Sequence, residues 1–218
     1  MKNITIITST RAEYGLLRPV IQKVAAAQDL QLQLVVTGAH LCARFGNTVQ
    51  EIEADDLPIA AHLPIFEEEN PNEPVARTIT VFDGYFAAHR PDAVLLLGDR
   101  FEIFAVATAA AARHIPIAHI SGGDVTLGAA DEYYRHCITK MAALHFPSCA
   151  ESAARLVRMG EAPETVFCVG GLGDENIRTL PKMTRQELCA STGFDLMQPF
   201  AIVTYPPETS AAAGDPAA

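Results

Sequence analysis

The residues with the clearest chemical potential lie in one stretch, HISGGDVTLGAADEYYRH, at positions 119–136. Asp131, Glu132 and Arg135 fall within about one helical turn there, and Asp131 and Arg135 share a helix face because they are four residues apart. Carboxylates beside a guanidinium can transfer a proton next to an anionic leaving group. In isolation, however, an acid and an arginine at this spacing are more often an ordinary surface ion pair.

Two further loops carry groups of the same kind. TSTRAEYG places Ser9, Thr10 and Arg11 just before a predicted helix, where hydroxyls and a guanidinium can meet a diphosphate. Helix capping with a solvent-facing arginine explains that loop equally well. GDRFE places Asp99 at the tip of a predicted strand, where it can face a ligand or serve as an N-cap.

The remaining candidates have simpler explanations. Gly122 and Gly123 permit close backbone approach. His119 closes an apolar strand and is expected to be structural, and His136 is expected to pack beside Arg135. VGGLGDEN looks like a phosphate-binding turn, but capping of a helix by Asp174 is the simpler interpretation.

These loops need a scaffold that brings them together, and the hydrophobic pattern supplies one. Short apolar runs (NITIITS, LQLVV, DAVLLLG, IPIAHI, LHF, TVFCVGG) alternate with longer helical patterns, which is typical of βαβ units. The runs are apolar at successive positions, so both faces of the sheet should be covered by helices. The sequence therefore predicts an α/β fold with a Rossmann-like, doubly wound parallel sheet, whose ligands bind at the carboxyl ends of the strands.

Composition narrows the choice of partners. The 218 residues include 26 acidic and 16 basic side chains, giving a net charge of -10, and no Lys/Arg run offsets it. Nucleic acid and membrane surfaces are therefore not expected partners. The five cysteines are widely spaced and no signal peptide is visible, so we expect a cytoplasmic protein. We find no metal-binding pattern and expect no cofactor, and apolar helices are compatible with a homodimer.

The last part of the chain departs from the alternating pattern. We predict an N-terminal domain over 1–179 and a linker over 180–199 that contains one short helix, TRQELCAS. Residues 200–218 begin with the strand-like run FAIVTY and end in an Ala- and Pro-rich tail. This run either closes the existing sheet or starts a second domain that the 218 residues do not complete.

Several of these segments, taken together, resemble a known family. TRAEYGLLRPVI, VVTGAHL, LGDRFE, AHISGGDVTLGAADEYYRHCITKMAALHF and VGGLGDENI match the hydrolysing UDP-N-acetylglucosamine 2-epimerases of sialic and legionaminic acid biosynthesis, in order and spacing. The match covers nearly all of the first 178 residues. The resemblance implies a GT-B-like arrangement of two Rossmann-like domains, of which this chain is the first, with the active site in the cleft between them.

The resemblance also implies a reaction on a UDP-N-acetylhexosamine. A proton leaves C2 while UDP leaves C1, and water then adds to the glycal so that a free sugar with inverted C2 is released. By this match Arg11 contacts the phosphates, Asp131 transfers the C2 proton, Asp99 orients or relays, and Arg135 stabilises negative charge. Further substrate contacts are expected from neighbouring positions: Arg100, Ser121, Gly122, Gly123 and Glu132.

Two positions depart from the family pattern. Ser121 stands where sialic-acid members typically have glutamate, and Pro206 stands where a histidine is usual. Serine is not a general acid or base near neutral pH, which leaves a diacetamido UDP-sugar open as substrate, with Asp124 as a partial substitute for the acid. The alternatives are an inactive nucleotide-sugar-binding domain or degenerate fragment of the family, and, less well matched, half of a glycosyltransferase.

Overall fold

The computed structural model describes residues 1–66 and 74–204, and it consists of a parallel sheet with helices on both faces. The strands are β1 (Lys2–Thr8), β2 (Leu30–Thr37), β3 (Ile59–Leu63), β4 (Ala93–Leu97), β5 (Ile117–Ile120) and β6 (Leu144–Phe146). The helices are α1 (Arg11–Ala26), α2 (Val49–Glu53), α3 (Pro74–His89), α4 (Phe101–Ala112), α5 (Asp131–Met141), α6 (Ala150–Arg158), α7 (Leu172–Thr179) and α8 (Arg185–Thr192). Short 3-10 turns occur at Gly38–Leu41, Ala43–Phe45 and Pro163–Thr165.

The six strands lie in the order β3-β2-β1-β4-β5-β6, and every pair is parallel. The chain winds outward from β1 in one direction and from β4 in the other, so the topological switch point lies between β1 and β4. Leu97 pairs with Ile120, and Ile120 with Phe146, so the loops after β4, β5 and β6 start at one level. The predicted doubly wound, Rossmann-like sheet is confirmed.

Each face of the sheet has its own apolar core. On one face α1 and α2 bury Leu17, Ile21 and Ile52 against the strands, while on the other α3 and α4 bury apolar side chains that include Phe82 and Phe86. Helix α4 supplies little side-chain volume, since it is rich in alanine, and this allows it to lie close to its neighbours. Burial on both faces explains why the strands are apolar at successive positions.

Helix α1 contains a proline whose effect is compensated by another helix. Pro19 has no N–H, so the carbonyl of Gly15, four residues earlier, loses its helical partner. The side-chain amide of Asn176 on α7 donates to that carbonyl at 2.7 Å, and Lys23 pairs with Glu175 at 2.6 Å. These contacts fix α7 on α1.

Two sequence predictions about strands are wrong, and two elements are not predicted at all. TVFCVGG forms only an isolated bridge, Val166 with His145, because β6 is three residues long and is followed by Pro147, which has no N–H for a ladder. Residues 200–204 of FAIVTY form no strand, and Ile202 is 84% exposed, so this part does not close the sheet. The elements not predicted are β3 and α3.

Candidate functional site

The predicted catalytic groups converge at the carboxyl edge of the sheet around Arg135. The Arg135 side chain is 5% exposed and forms an ion pair with Asp99, although the two residues are 36 positions apart. Asp99 lies two residues after the end of β4, and Arg135 lies in the second turn of α5, so the parallel order of β4 and β5 brings them together. Gly98, with φ +84°, redirects the chain from β4 toward this pair.

Arg135 is almost fully engaged within the protein. One terminal nitrogen donates to the Asp124 carbonyl and the Glu132 carboxylate, both at 3.0 Å, and the other donates to Thr126 at 2.8 Å as well as pairing with Asp99. Burial lowers the pKa of Arg135, but an arginine stays charged near neutral pH. The geometry therefore suits holding Asp99 and the loop after β5 in place.

A second arginine, Arg100, pairs with one carboxylate and is influenced by the charges of two others. Its Nε and one terminal nitrogen donate to the fully buried Glu102 at 3.2 and 2.9 Å. Burial lowers the pKa of Arg100, but the Glu102 hydrogen bonds and the charges of Glu102, Glu13 and Asp131 outweigh this and raise it. Asp131 is thus within electrostatic range of Arg100. Among the described residues no ion pair joins Asp131 to Arg135, so the simple surface pair considered from the sequence does not form.

Arg11 lies at the same sheet edge but outside this cluster. Its side chain is 72% exposed and pairs with Glu51 at 2.9 Å. Thr10 is the N-cap of α1 and forms a capping box with Glu13, so the capping interpretation of this loop is confirmed together with an exposed arginine. The guanidinium is free to exchange its surface partner for a ligand.

Two glycines allow the loop after β5 to pack closely against the rest of the protein. A Cβ on Gly122 would lie 2.9 Å from Nδ1 of His119, and one on Gly123 would lie 2.5 Å from the carbonyl oxygen of Ser152. Both glycines are therefore needed for packing against α5 and α6. Ser121, at φ +63°, is half-buried, and its hydroxyl makes no hydrogen bond to another described residue.

His119 has the structural role that the sequence predicts. It is fully buried, Nε2 donates to the Gly98 carbonyl at 2.8 Å, and Nδ1 therefore accepts from Thr139 at 3.3 Å. Burial lowers the pKa of His119 to about 4, so the ring is neutral near pH 7. This histidine fixes the turn that carries Asp99. His136 contacts Glu132, at 3.0 Å, rather than Arg135.

Two acidic residues, Asp124 and Glu13, make more contacts at this edge of the sheet than the sequence predicts. Asp124 accepts hydrogen bonds from Ser152 at 2.6 Å and Ser148 at 3.1 Å, and it lines a polar cavity of about 470 Å³ together with Arg135 and Arg155. Glu13 is 7% exposed, and its charge acts on Arg100. The T-x-x-E spacing of Thr10 and Glu13 was the available signal, but it indicates a capping box and not a site.

Other features contribute less. A larger cavity, about 700 Å³, lies between α7 and the sheet. Its lining includes Ile120 and Phe146 of the sheet and the charged residues Asp174, Glu175 and Arg178 of α7. Helix α7 begins after Gly171, so Asp174 lies in its first turn and is not its N-cap. Within residues 1–66 and 74–204, no cluster of three or more His, Cys, Asp or Glu side chains is arranged to hold a metal ion, and no helix is long and apolar enough to span a membrane. Pro206 lies outside the described residues.

The strand order, with its switch point between β1 and β4, defines a Rossmann-like domain. The family model described as UDP-N-acetylglucosamine 2-epimerase matches residues 22–217, so the chain belongs to that family. The resemblance found in the sequence is thereby confirmed.

Individual relatives agree with this assignment. The chain is 39% identical over 213 residues to polysialic acid biosynthesis protein P7 of Escherichia coli, covering 96% of this chain and 54% of the relative. It is 38% identical over 211 residues to the hydrolysing UDP-N,N'-diacetylbacillosamine 2-epimerase of Legionella pneumophila, covering 95% and 56%. The chain thus spans about half the length of the curated relatives it matches.

Solved structures support the fold. The UDP-GlcNAc 2-epimerase of Neisseria meningitidis bound to UDP-GlcNAc superimposes with a TM-score of 0.75 at 21% identity, over 91% of this chain and 54% of that one. The S. aureus MnaA-UDP structure gives a TM-score of 0.76 at 23% identity, over 88% and 51%.

Proposed function

We propose that this chain is the N-terminal half of a hydrolysing UDP-N-acetylhexosamine 2-epimerase, and that it contributes the acid–base groups of the reaction. The observation that carries the proposal is that Asp99, Asp131 and two arginines lie after β4 and β5 at the carboxyl edge of the sheet, where Asp99 pairs with Arg135 and the charge of Asp131 acts on Arg100. Proton removal at C2 with loss of UDP requires a base close to groups that tolerate developing negative charge.

The roles proposed for each group follow from its surroundings. Asp131 makes no hydrogen bond to a described side chain and is partly exposed, so it is free to take the C2 proton. Asp99 is held by Arg135, and we assign Arg135 to positioning because both of its terminal nitrogens already bind protein groups. Arg100, 43% exposed, and Arg11 remain open to the phosphates.

The choice of sugar rests on the loop after β5. We propose a diacetamido UDP-sugar, because two relatives are named as diacetylbacillosamine 2-epimerases and because Ser121 replaces the glutamate of sialic-acid members. Asp124, three residues later, supplies a carboxylate in a polar cavity that also contains Arg135. We assign Asp124 as the second acid.

We also propose that the protein is cytoplasmic, because UDP-sugars are made there.

A chimera tests this proposal. Residues 1–199 joined to the second half of the Legionella relative should release UDP from UDP-N,N'-diacetylbacillosamine and incorporate deuterium at C2 from D₂O. Asp131→Asn should lower turnover by about 10²–10⁴-fold, the usual contribution of a general base, while leaving UDP binding within about threefold. Asp29→Asn, an exposed acid at the other end of the sheet, is the matched control.

The outcomes separate the competing functions. UDP binding by a folded chimera without turnover would favour the inactive binding domain. UDP release without deuterium at C2 would favour a glycosyltransferase-type reaction. Full turnover by Asp131→Asn would refute the proposed role of Asp131. The isolated chain, which spans about half of its relatives, should turn over little.

A further inference from the structure

Glu13 occupies the backbone donors that the start of α1 would otherwise offer to an anion. Its Oε2 accepts from the Ser9 N–H at 2.8 Å, the Ser9 hydroxyl at 2.8 Å and the Thr10 N–H at 3.3 Å. N–H groups and hydroxyls at a strand-to-helix turn are the usual ligands of a phosphate. The carboxylate therefore acts as an internal anion two residues from Arg11, in the first turn of α1.

The other oxygen of this carboxyl group has no partner. Oε1 of Glu13 is buried and makes no hydrogen bond within the described residues. An ionised carboxylate with one bare, buried oxygen is costly. A proton on that oxygen removes the charge and weakens the three bonds to Oε2, because a neutral acceptor holds its donors less strongly than a carboxylate does. The site thus has a defined place for a proton.

The charges around Glu13 favour the same result. From α4, Glu102 repels it and Arg100 attracts it, and Arg100 already serves Glu102 and Asp131. From the turn after β2, His40 is bonded to Thr8 and Thr48, and its burial lowers its pKa to about 4, so it adds no charge near pH 7. Burial, opposed by the Ser9 hydrogen bonds, raises the pKa of Glu13 to about 7.

We propose that Glu13 is a proton-linked control of anion binding at the Ser9–Arg11 turn, so that a diphosphate binds there together with one proton taken up by Glu13. The proton comes from solvent and converts the carboxylate to the neutral acid, and no other covalent bond forms or breaks. An incoming diphosphate adds negative charge to an edge of the sheet that already has the carboxylates of Glu13, Glu102 and Asp131. Protonation of Glu13 removes one of those charges. The inference rests on the part of the proposed function that places an anion at Arg11.

Binding of UDP-N-acetylglucosamine to the 218-residue chain tests the linkage. This probe carries no phosphate monoester, so its diphosphate does not titrate between about pH 6 and 8. Affinity measured by NMR titration should fall about tenfold from pH 6 to pH 8, because the protonated fraction of Glu13 falls from about 0.9 to about 0.1. In Glu13→Gln, which is neutral at every pH, the change should be less than about twofold.

Two controls keep the test decisive. Glu51→Gln removes an exposed carboxylate that pairs with Arg11, and it should keep the roughly tenfold dependence. Calorimetry of the unmodified chain at pH 7, in buffers of different ionisation enthalpy, should show uptake of about half a proton, and it needs no variant to fold. Any of three results would overturn the inference. These are a pH dependence of affinity in Glu13→Gln equal to that of the unmodified chain, a proton uptake of zero, and no binding of the probe to any of the proteins. Proton-linked binding with an inactive chimera would overturn the proposed function alone.

Discussion

At the scale of single residues, the acids at this sheet edge differ in how their charge is supported. Asp99 faces Arg135 and Glu102 faces Arg100, whereas Glu13 has only neutral hydrogen-bond donors and one bare oxygen. A buried carboxylate of the last kind is the one expected to gain a proton near neutral pH. Stability should therefore depend on pH through Glu13 even without a ligand.

We predict that Glu13→Gln changes the pH dependence of folding. The pKa of Glu13 in the folded chain, about 7, lies above its usual 4.5, so the folded state holds a proton that the unfolded state releases. The contribution of Glu13 to stability is then greatest below about pH 4.5 and falls as pH rises to about 7, by up to about 3 kcal/mol. Relative to the unmodified chain, the variant should gain stability from pH 5 to 8 in urea unfolding. A constant difference across this range would contradict the prediction.

The residue scale also shows what sequence can and cannot foresee. Asp99, Asp131 and Arg135 are predictable because each follows a strand or lies near the start of a helix on the same sheet edge. Their partners are not: Arg135 pairs with Asp99 and Glu132, while Asp131 forms no ion pair with a described residue. Helix rotation and side-chain rotamer decide these pairings, and neither is encoded in spacing along the chain.

At the scale of elements, the success of a strand prediction depends on how far the strand is buried. Strands covered on both faces are predicted from continuous apolar runs, but β3 is an edge strand with the sequence IAAHL and a weak β pattern. TVFCVGG is predicted as a strand from composition alone. Its partner β6 is too short to support a ladder, so its apolar residues Phe167 and Val169 stay about half exposed.

The contact between α1 and α7 gives a prediction at this scale. Asn176→Ala should destabilise the chain by about 1 kcal/mol, because it leaves the Gly15 carbonyl without its donor. In a Pro19→Ala background the backbone N–H gained at position 19 can make that bond, and the same Asn176 substitution should cost much less. Chemical denaturation of the four proteins of this double-mutant cycle measures the coupling. Additive effects would show that Asn176 does not compensate for the proline.

At the scale of the whole molecule, the described chain divides into a packed sheet domain and an appended segment. Residues 181–204 include α8, which has no buried residue, and their hydrogen bonds in the structure are to one another, as between Arg185 and Met197. By contrast, α7 is tied to α1 through Asn176 and Glu175. We therefore keep residue 179 as the proposed boundary, three residues after Asn176.

The boundary can be tested by truncation. A chain ending at residue 180 should retain the cooperative unfolding of the sheet domain, with a free energy within about 1 kcal/mol of that of the 218-residue chain, because neither apolar core includes a residue beyond Leu172. A matched truncation at residue 170 removes α7 and its contacts with Gly15 and Lys23, and it should be less stable by about 2 kcal/mol or more. If the chain ending at residue 180 lost as much stability as the one ending at residue 170, residues 181–204 would be part of the sheet domain and would help to support the site at its edge.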